Sequence, residues 1–128
     1  MAEPASGIDS RHPETDPETT ILRDVNITQQ LRPGSIFPAP APLHVDVGCG
    51  KGRFLVARAQ ACPRINFLGI DRQLVRLRKI DKKLRRAGMH NVRLLRLEAD
   101  YALSYLLPPG SVNVMYILFP DHFQLFLQ

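Results

Sequence analysis

The chain has 128 residues, 45% of them hydrophobic and 23% charged, with a net charge of +5 at pH 7. Those values suit one folded domain of ordinary size with a water-facing surface, and no window approaches the roughly 18 to 20 apolar residues of a bilayer-spanning helix. The acidic, proline-containing N-terminus has no basic segment followed by an apolar run, so the expectation is no secretory leader, no membrane partner and a cytoplasmic location. The positive balance favours polyanionic partners without requiring one. Cys49 and Cys62 have a spacing that suits neither a zinc site nor a disulfide framework. Two reduced thiols are expected.

Residues 1–42 hold seven of the eleven prolines and show no sustained apolar period. They are expected to form a largely disordered or extended N-terminal segment. Within it, 1–20 reads as a disordered tail, 21–31 as a short helix and 37–42 as an extended lead-in. The folded domain is expected over 43–128. There Leu43 to Val47 reads as an apolar strand that ends at glycines, and Lys51 to Ala61 as a helix stopped by Pro63. Ile65 to Ile70 is a second strand. Arg72 to Ala87 is a helix with Leu74, Leu77, Ile80 and Leu84 on one stripe, capped by Gly88. Val92 to Leu97 is a third strand, Asp100 to Leu107 a short helix, Pro108 to Gly110 a turn, and Val112 to Phe119 a fourth strand.

This alternation implies an α/β fold with a parallel sheet and right-handed crossovers. Its apolar strands, lacking alternation, fit burial on both faces. The chain ends nine residues after the fourth strand, so it reads as the first half of a doubly wound sheet with its C-terminal strands missing. The fourth strand would then be an exposed apolar edge. Self-association through that edge is expected unless the tail from Phe123 to Leu127 folds over it.

The most specific feature is the run His44-Val-Asp46-Val-Gly48-Cys49-Gly50-Lys-Gly52-Arg53-Phe54. It stands where the first strand meets the first helix, and its glycines let the backbone turn tightly and approach a ligand. The helix behind it offers unpaired N–H groups. A dinucleotide-binding loop of the form G-x-G-x-x-G would need glycine at position 53, which is Arg53. The spacing is Asp-x-Gly-x-Gly-x-Gly instead. An acid beside a glycine loop suits S-adenosylmethionine, which has a cationic amino group and sulfonium, better than a pyrophosphate. Alternatively, the glycines only make a tight turn.

Two further acids fall at strand ends, where open α/β sheets bind ligands. Asp71 follows the second strand about 20 residues beyond the loop, an offset at which an acid accepts ribose hydroxyls; it could also cap the next helix. Glu98 or Asp100 follows the third strand and could receive an adenine amino group, and Asp100 could equally be a cap. Pro120-Asp121 ends the fourth strand, where a carboxylate could sit over a transferable methyl. The basic helix carrying Arg72, Arg76, Arg78, Lys79, Lys82, Lys83, Arg85 and Arg86 is read first as a solvated face and second as a phosphate-contacting surface.

With these pieces in order, the chain resembles the bacterial tRNA (guanine-N7)-methyltransferase family. The pieces are Val45-Asp46 through Leu55, Phe67-Leu-Gly-Ile-Asp71, Asn91-Val-Arg-Leu-Leu95, Glu98-Ala99, Pro109-Gly-Ser111 and Leu118-Phe-Pro-Asp121. The resemblance implies a Rossmann-like class I methyltransferase fold, S-adenosylmethionine as cofactor and tRNA as partner, with methylation of a guanosine in the variable loop. It implies a cofactor-binding set of Asp46, Gly48, Cys49, Gly50, Gly52, Asp71, Arg72, Glu98, Ala99 and Asp121. It favours Glu98 over Asp100 at the adenine and makes Asp121 the catalytic candidate. No metal is implied. The family continues after Phe-Pro-Asp with Pro-Trp-Pro-Lys and a basic run, whereas this chain reads His122-Phe-Gln-Leu-Phe-Leu-Gln128. An impaired activity and weakened tRNA binding are therefore expected. The alternatives are an inactive cofactor-binding fragment or another S-adenosylmethionine-dependent methyltransferase.

Overall fold

The computed structural model describes residues 19–98, 101–118 and 123–127. Five strands form one sheet: β1 (Leu43–Val47), β2 (Asn66–Asp71), β3 (Val92–Arg96), β4 (Val114–Leu118) and β5 (Phe123–Leu127), in the order β3-β2-β1-β4-β5. The pairs β1·β2, β2·β3 and β1·β4 are parallel, and β4·β5 is antiparallel. Helix α1 (Arg53–Ala61) links β1 to β2, and α2 (Leu74–Arg86) links β2 to β3. The central strands are buried along their length, as a run of apolar residues without alternation requires. The sheet thus has the parallel α/β arrangement expected of a Rossmann-like domain.

One face of the sheet is covered by the two helices. Leu55 and Ala59 of α1 and Leu77, Ile80 and Leu84 of α2 pack with Phe67, Val92, Leu94 and Tyr116. Leu77, Ile80 and Leu84 of the expected stripe are therefore a core face, Leu74 is only half-buried and stands outside it, and the basic residues of α2 point outward while Asp81 is buried. The other face is covered differently. Leu22, Leu31, Ile36 and Phe37 pack with Val45, Leu68, Ile70, Leu95, Leu106 and Val112. The expected boundary at residue 42 is thus not a packing boundary. Residues 19–42 have little regular structure, but they supply a layer of the core; the rest of the expected tail, residues 1–18, lies outside the described residues.

The helix expected over 21–31 does not form. Leu22 N–H donates to the Leu94 carbonyl (2.8 Å), and Leu94 N–H donates to the Thr20 carbonyl (2.8 Å). This parallel bridge at Ile21 covers the outer edge of β3. An edge strand offers unpaired backbone groups, and the β-branched Thr19, Thr20 and Ile21 fit an extended partner better than a helix. The short helix expected over 100–107 is a single wide turn, Ala102–Leu106, closed by Leu107 N–H to the Ala102 carbonyl at 3.1 Å. Asp100 lies outside the described residues.

The expectation that the fourth strand forms an edge is also corrected. Residues Phe123–Leu127 return antiparallel along β4, with Val114 opposite Leu127 and Leu118 opposite Phe123. Satisfying the backbone groups of β4 in this way is the least costly use of an apolar tail beside an apolar strand. Among the described residues no helix is long and apolar enough to cross a membrane, no group of side chains could hold a metal ion, and Cys49 and Cys62 are free thiols.

Candidate functional site

The C-terminal ends of β1, β2 and β3 meet at a cleft of about 350 Å³ lined by Gly48, Ile70, Asp71, Arg72, Gln73, Arg76, Leu97 and Glu98. The glycine loop builds its first wall. Gly48 (φ 69°), Gly50 (φ 56°) and Gly52 (φ 79°) all take left-handed backbone conformations that L side chains rarely adopt. Two consecutive N–H groups, of Gly48 and Cys49, donate to the Ile70 carbonyl at 2.8 and 3.0 Å and fold the loop back across β2. Gly52 is the residue before α1, and an added Cβ would lie 2.5 Å from Ile80 Cγ1. The third glycine is thus required by helix packing, while the first lines the cleft.

Asp71 joins the loop to α2. Its Oδ2 accepts from Gly50 N–H (3.0 Å), and its Oδ1 accepts from Gln73 N–H (2.8 Å). The Arg76 guanidinium stands 3.6 Å away. A carboxylate has about four acceptor positions, so two backbone bonds leave capacity for a ligand hydroxyl on the cleft side. The alternative reading of Asp71 as a helix cap is met only in part: the N-cap of α2 is Gln73, and Asp71 holds the lead-in to it. Across the cleft Arg72 and Glu98 pair at 3.7 Å with both side chains largely exposed, an ion pair of small energetic weight.

Asp46 lies behind the loop on β1, opposite Gly69 of β2 and Tyr116 of β4. It is fully buried, and neither carboxylate oxygen has a hydrogen-bond partner among the described residues. Burial, and then the charge of Asp71, push its pKa up to about 7. A buried carboxyl without partners is uncommon enough to require an explanation. Cys49, by contrast, turns its side chain inward: it is buried, and its Sγ would lie 3.2 Å from a Cβ added at Gly69. Burial and the nearby Asp46 and Asp71 raise its thiol pKa far above the ordinary value, so an inert core thiol results.

The structure thus brings Gly48, Asp71, Arg72 and Glu98 together at one cleft, with Gly50 tied to it through Asp71. It sets Asp46 behind the loop and gives Gly52 and the Cys49 side chain to packing. Ala99 and Asp121 lie outside the described residues. Sequence reading overlooked Ile70, Gln73, Arg76 and Leu97 as cleft residues. The helix expected from Arg72 begins only at Leu74, with Gln73 as its N-cap, so Arg72 stands in the turn before it; Arg76, in the first turn of α2, is brought to the cleft by its ion pair with Asp71.

Residues 40–124 match a family model described as "Putative methyltransferase". A tRNA (guanine-N(7)-)-methyltransferase of Streptococcus thermophilus is 42% identical over 86 residues, covering 67% of this chain and 40% of that protein. The Streptococcus uberis enzyme of the same name is 33% identical over 110 residues, 86% of this chain and 51% of that protein. A solved structure titled "Structure of an antibiotic related Methyltransferase" superimposes with a TM-score of 0.52 at 27% identity, covering 66% of this chain and 42% of that one. The chain spans about half the length, or less, of these curated relatives. The matched span contains the glycine loop, Asp71 and Glu98, the three strand-end elements of the cleft, and the chain belongs to this methyltransferase family.

Proposed function

We propose that this chain carries the S-adenosylmethionine-binding part of a tRNA (guanine-N7)-methyltransferase. The observation that supports it most is the glycine loop tied by Gly50 N–H to Asp71 at the mouth of a strand-end cleft. The residues present fit the cofactor. A cationic amino-acid end would give the orphaned Asp46 carboxylate a compensating charge behind the loop. Asp71 retains acceptor capacity for a ribose diol, and Glu98 stands on the opposite wall for an adenine amino group. When bound, this cofactor supplies a methyl group on a sulfonium, ready for direct transfer to a nucleophile.

The rest of the work falls to the chain. Guanine N7 has a lone pair and no proton, so no strong general base is needed, and the task is to hold the reacting atoms in line. The loop and Asp71 fix one end of that line. Asp121, carried over from the family resemblance, is proposed to accept hydrogen bonds from the guanine edge and to offset the positive charge that develops on the purine. No metal takes part in this reading. The relatives named above supply the choice of tRNA as substrate, and the cytoplasm is its proposed setting.

Calorimetric titration with S-adenosylhomocysteine tests the cofactor site. Asp71→Ala is expected to weaken binding by about 10- to 100-fold, the cost of losing charge-assisted hydrogen bonds to a ligand and to the loop. Equal affinity in the two proteins would remove Asp71 from the site. Incubation with unmodified tRNA and labelled cofactor tests the reaction: label is expected at guanine N7 and reduced in Asp121→Ala. Label in a small-molecule acceptor but none in tRNA would favour another methyltransferase specificity. Cofactor binding without transfer to either would favour a binding fragment.

A further inference from the structure

Beyond the cleft, the outer side of α2 forms one wall of a second depression, a groove of about 780 Å³. The opposite wall is the extended segment from Thr19 to Arg23, and Arg96 at the end of β3 contributes to the lining. Six cations line it: Arg23, Arg78, Lys79, Lys82, Arg85 and Arg96. All six side chains are exposed. Among the described residues the one acid in the groove, Asp81, is buried and already committed. It accepts from Thr20 N–H (2.7 Å), from the Thr20 hydroxyl (2.6 Å) and from Arg85 Nε (3.0 Å). Asp81 therefore pins the segment to the helix and builds the groove, without pairing with Arg78, Lys79 or Lys82. No carboxylate of the described residues pairs with Arg78, Lys79 or Lys82.

We propose that this groove binds the sugar–phosphate backbone of RNA, as a positioning surface for the substrate of the cleft; the choice of RNA rests on the function proposed above. Arg78, Lys82 and Arg85 recur every three or four residues along α2, so they follow one side of the helix over about 10 Å. That is a cationic track, which suits successive phosphates better than one compact anion. Four of the six groove cations are arginines, whose planar fork matches phosphate oxygens. Leu77, Ile80 and Leu84 of α2 are consumed by the core, and its remaining apolar residues, Leu74 in the groove and the exposed Val75, make too small a surface to insert into a membrane. Arg96 donates from Nε to the Arg72 carbonyl at 3.3 Å. This contact places the groove next to the cleft, which Arg72 lines.

The test compares two variants of equal charge change on one helix. Arg78→Gln with Lys82→Gln alters the groove; Lys83→Gln with Arg86→Gln alters residues outside it. Binding of unmodified tRNA is measured by fluorescence polarisation across a salt series, with thermal unfolding as the check on folding. The groove pair is expected to weaken binding about 10-fold at 0.1 M salt and to flatten the log K against log salt slope by roughly 1.5, the loss of two phosphate contacts. The outer pair is expected to change either value little. Equal losses in both pairs would show a bulk charge effect and overturn the proposal, as would no loss in the groove pair or no tRNA binding by the unaltered chain. A loss confined to vesicles rich in phosphatidylserine would assign the groove to membranes and overturn it as well. Titration with S-adenosylhomocysteine keeps the two readings apart. The groove pair should retain cofactor affinity, and a chain that binds tRNA through the groove but never binds the cofactor analogue would remove only the methyl-transfer reading.

Discussion

Replacing Asp46 by asparagine is expected to stabilise the ligand-free chain at neutral and alkaline pH and to remove a pH dependence that the unaltered chain carries. The carboxyl is fully buried with no partner for either oxygen. Burial and the charge of Asp71 move its pKa from 3.8 to about 7. A raised carboxyl pKa means that between those values the folded state binds more protons than the unfolded state, so stability falls as pH rises through that window and is flat above it. The full shift corresponds to about 4 kcal/mol, of which about 2.5 kcal/mol falls between pH 5 and pH 8. Asparagine keeps the shape and does not ionise. Urea unfolding of both proteins at the two pH values should show the asparagine variant gaining on the original by about that amount. A stability difference that does not change with pH would mean that Asp46 is not held in this unfavourable state. The same exchange should weaken S-adenosylhomocysteine binding about 10-fold, because a cationic ligand group recovers the charge that the fold leaves exposed to a poor environment. The stability gain and the affinity loss would then be two readings of one buried carboxylate.

Gly52→Ala is expected to destabilise the chain by about 3 kcal/mol, from two sources. The backbone at Gly52 has φ 79°, so any L side chain is strained there. The new Cβ would also lie 2.5 Å from Cγ1 and 2.7 Å from Cδ1 of Ile80, a side chain buried in the core beneath α1 and α2. A double-mutant cycle separates the sources. In an Ile80→Ala background the clash disappears, and Gly52→Ala should then cost only about 1 to 2 kcal/mol, the conformational part. Denaturant midpoints for the four proteins measure this. Full additivity would show that the clash contributes nothing and that backbone strain alone requires glycine. The outcome bears on the site because the start of α1 and the loop before it are positioned by this contact, so a displaced helix would carry the loop with it.

Much of the fold could be read from residue order because it depends on local, repetitive features. β1 ends where Gly48 begins, α2 shows its stripe of Leu77, Ile80 and Leu84, and the run at 66–71 is a buried strand, while at 92–96 Val92, Leu94 and Leu95 are buried and Arg96 is exposed. The acid at the end of β2 and the glycine loop after β1 also stood out, since strand-end chemistry follows from the parallel topology once the strands are placed.

What residues do at a distance was decided by tertiary structure. Residues 19–42 lack periodicity, yet Leu22, Leu31, Ile36 and Phe37 complete the core, because an uncovered sheet face and an open β3 edge reward any apolar, extended partner. The tail from Phe123 pairs with β4 for the same reason. Cys49 and Gly52 belong to a loop read as ligand-binding, but the packing of Gly69 and Ile80 against them gives them structural duties that no spacing reveals. The sequence by itself determined a glycine loop, a strand-end acid and a basic helix. Only the three-dimensional arrangement joined the loop to Asp71 through Gly50, orphaned Asp46, and set Arg23 and Arg96 opposite α2 to turn a charged face into a groove. Contacts between residues far apart in the chain depend on how layers pack, and packing is a property of the whole domain.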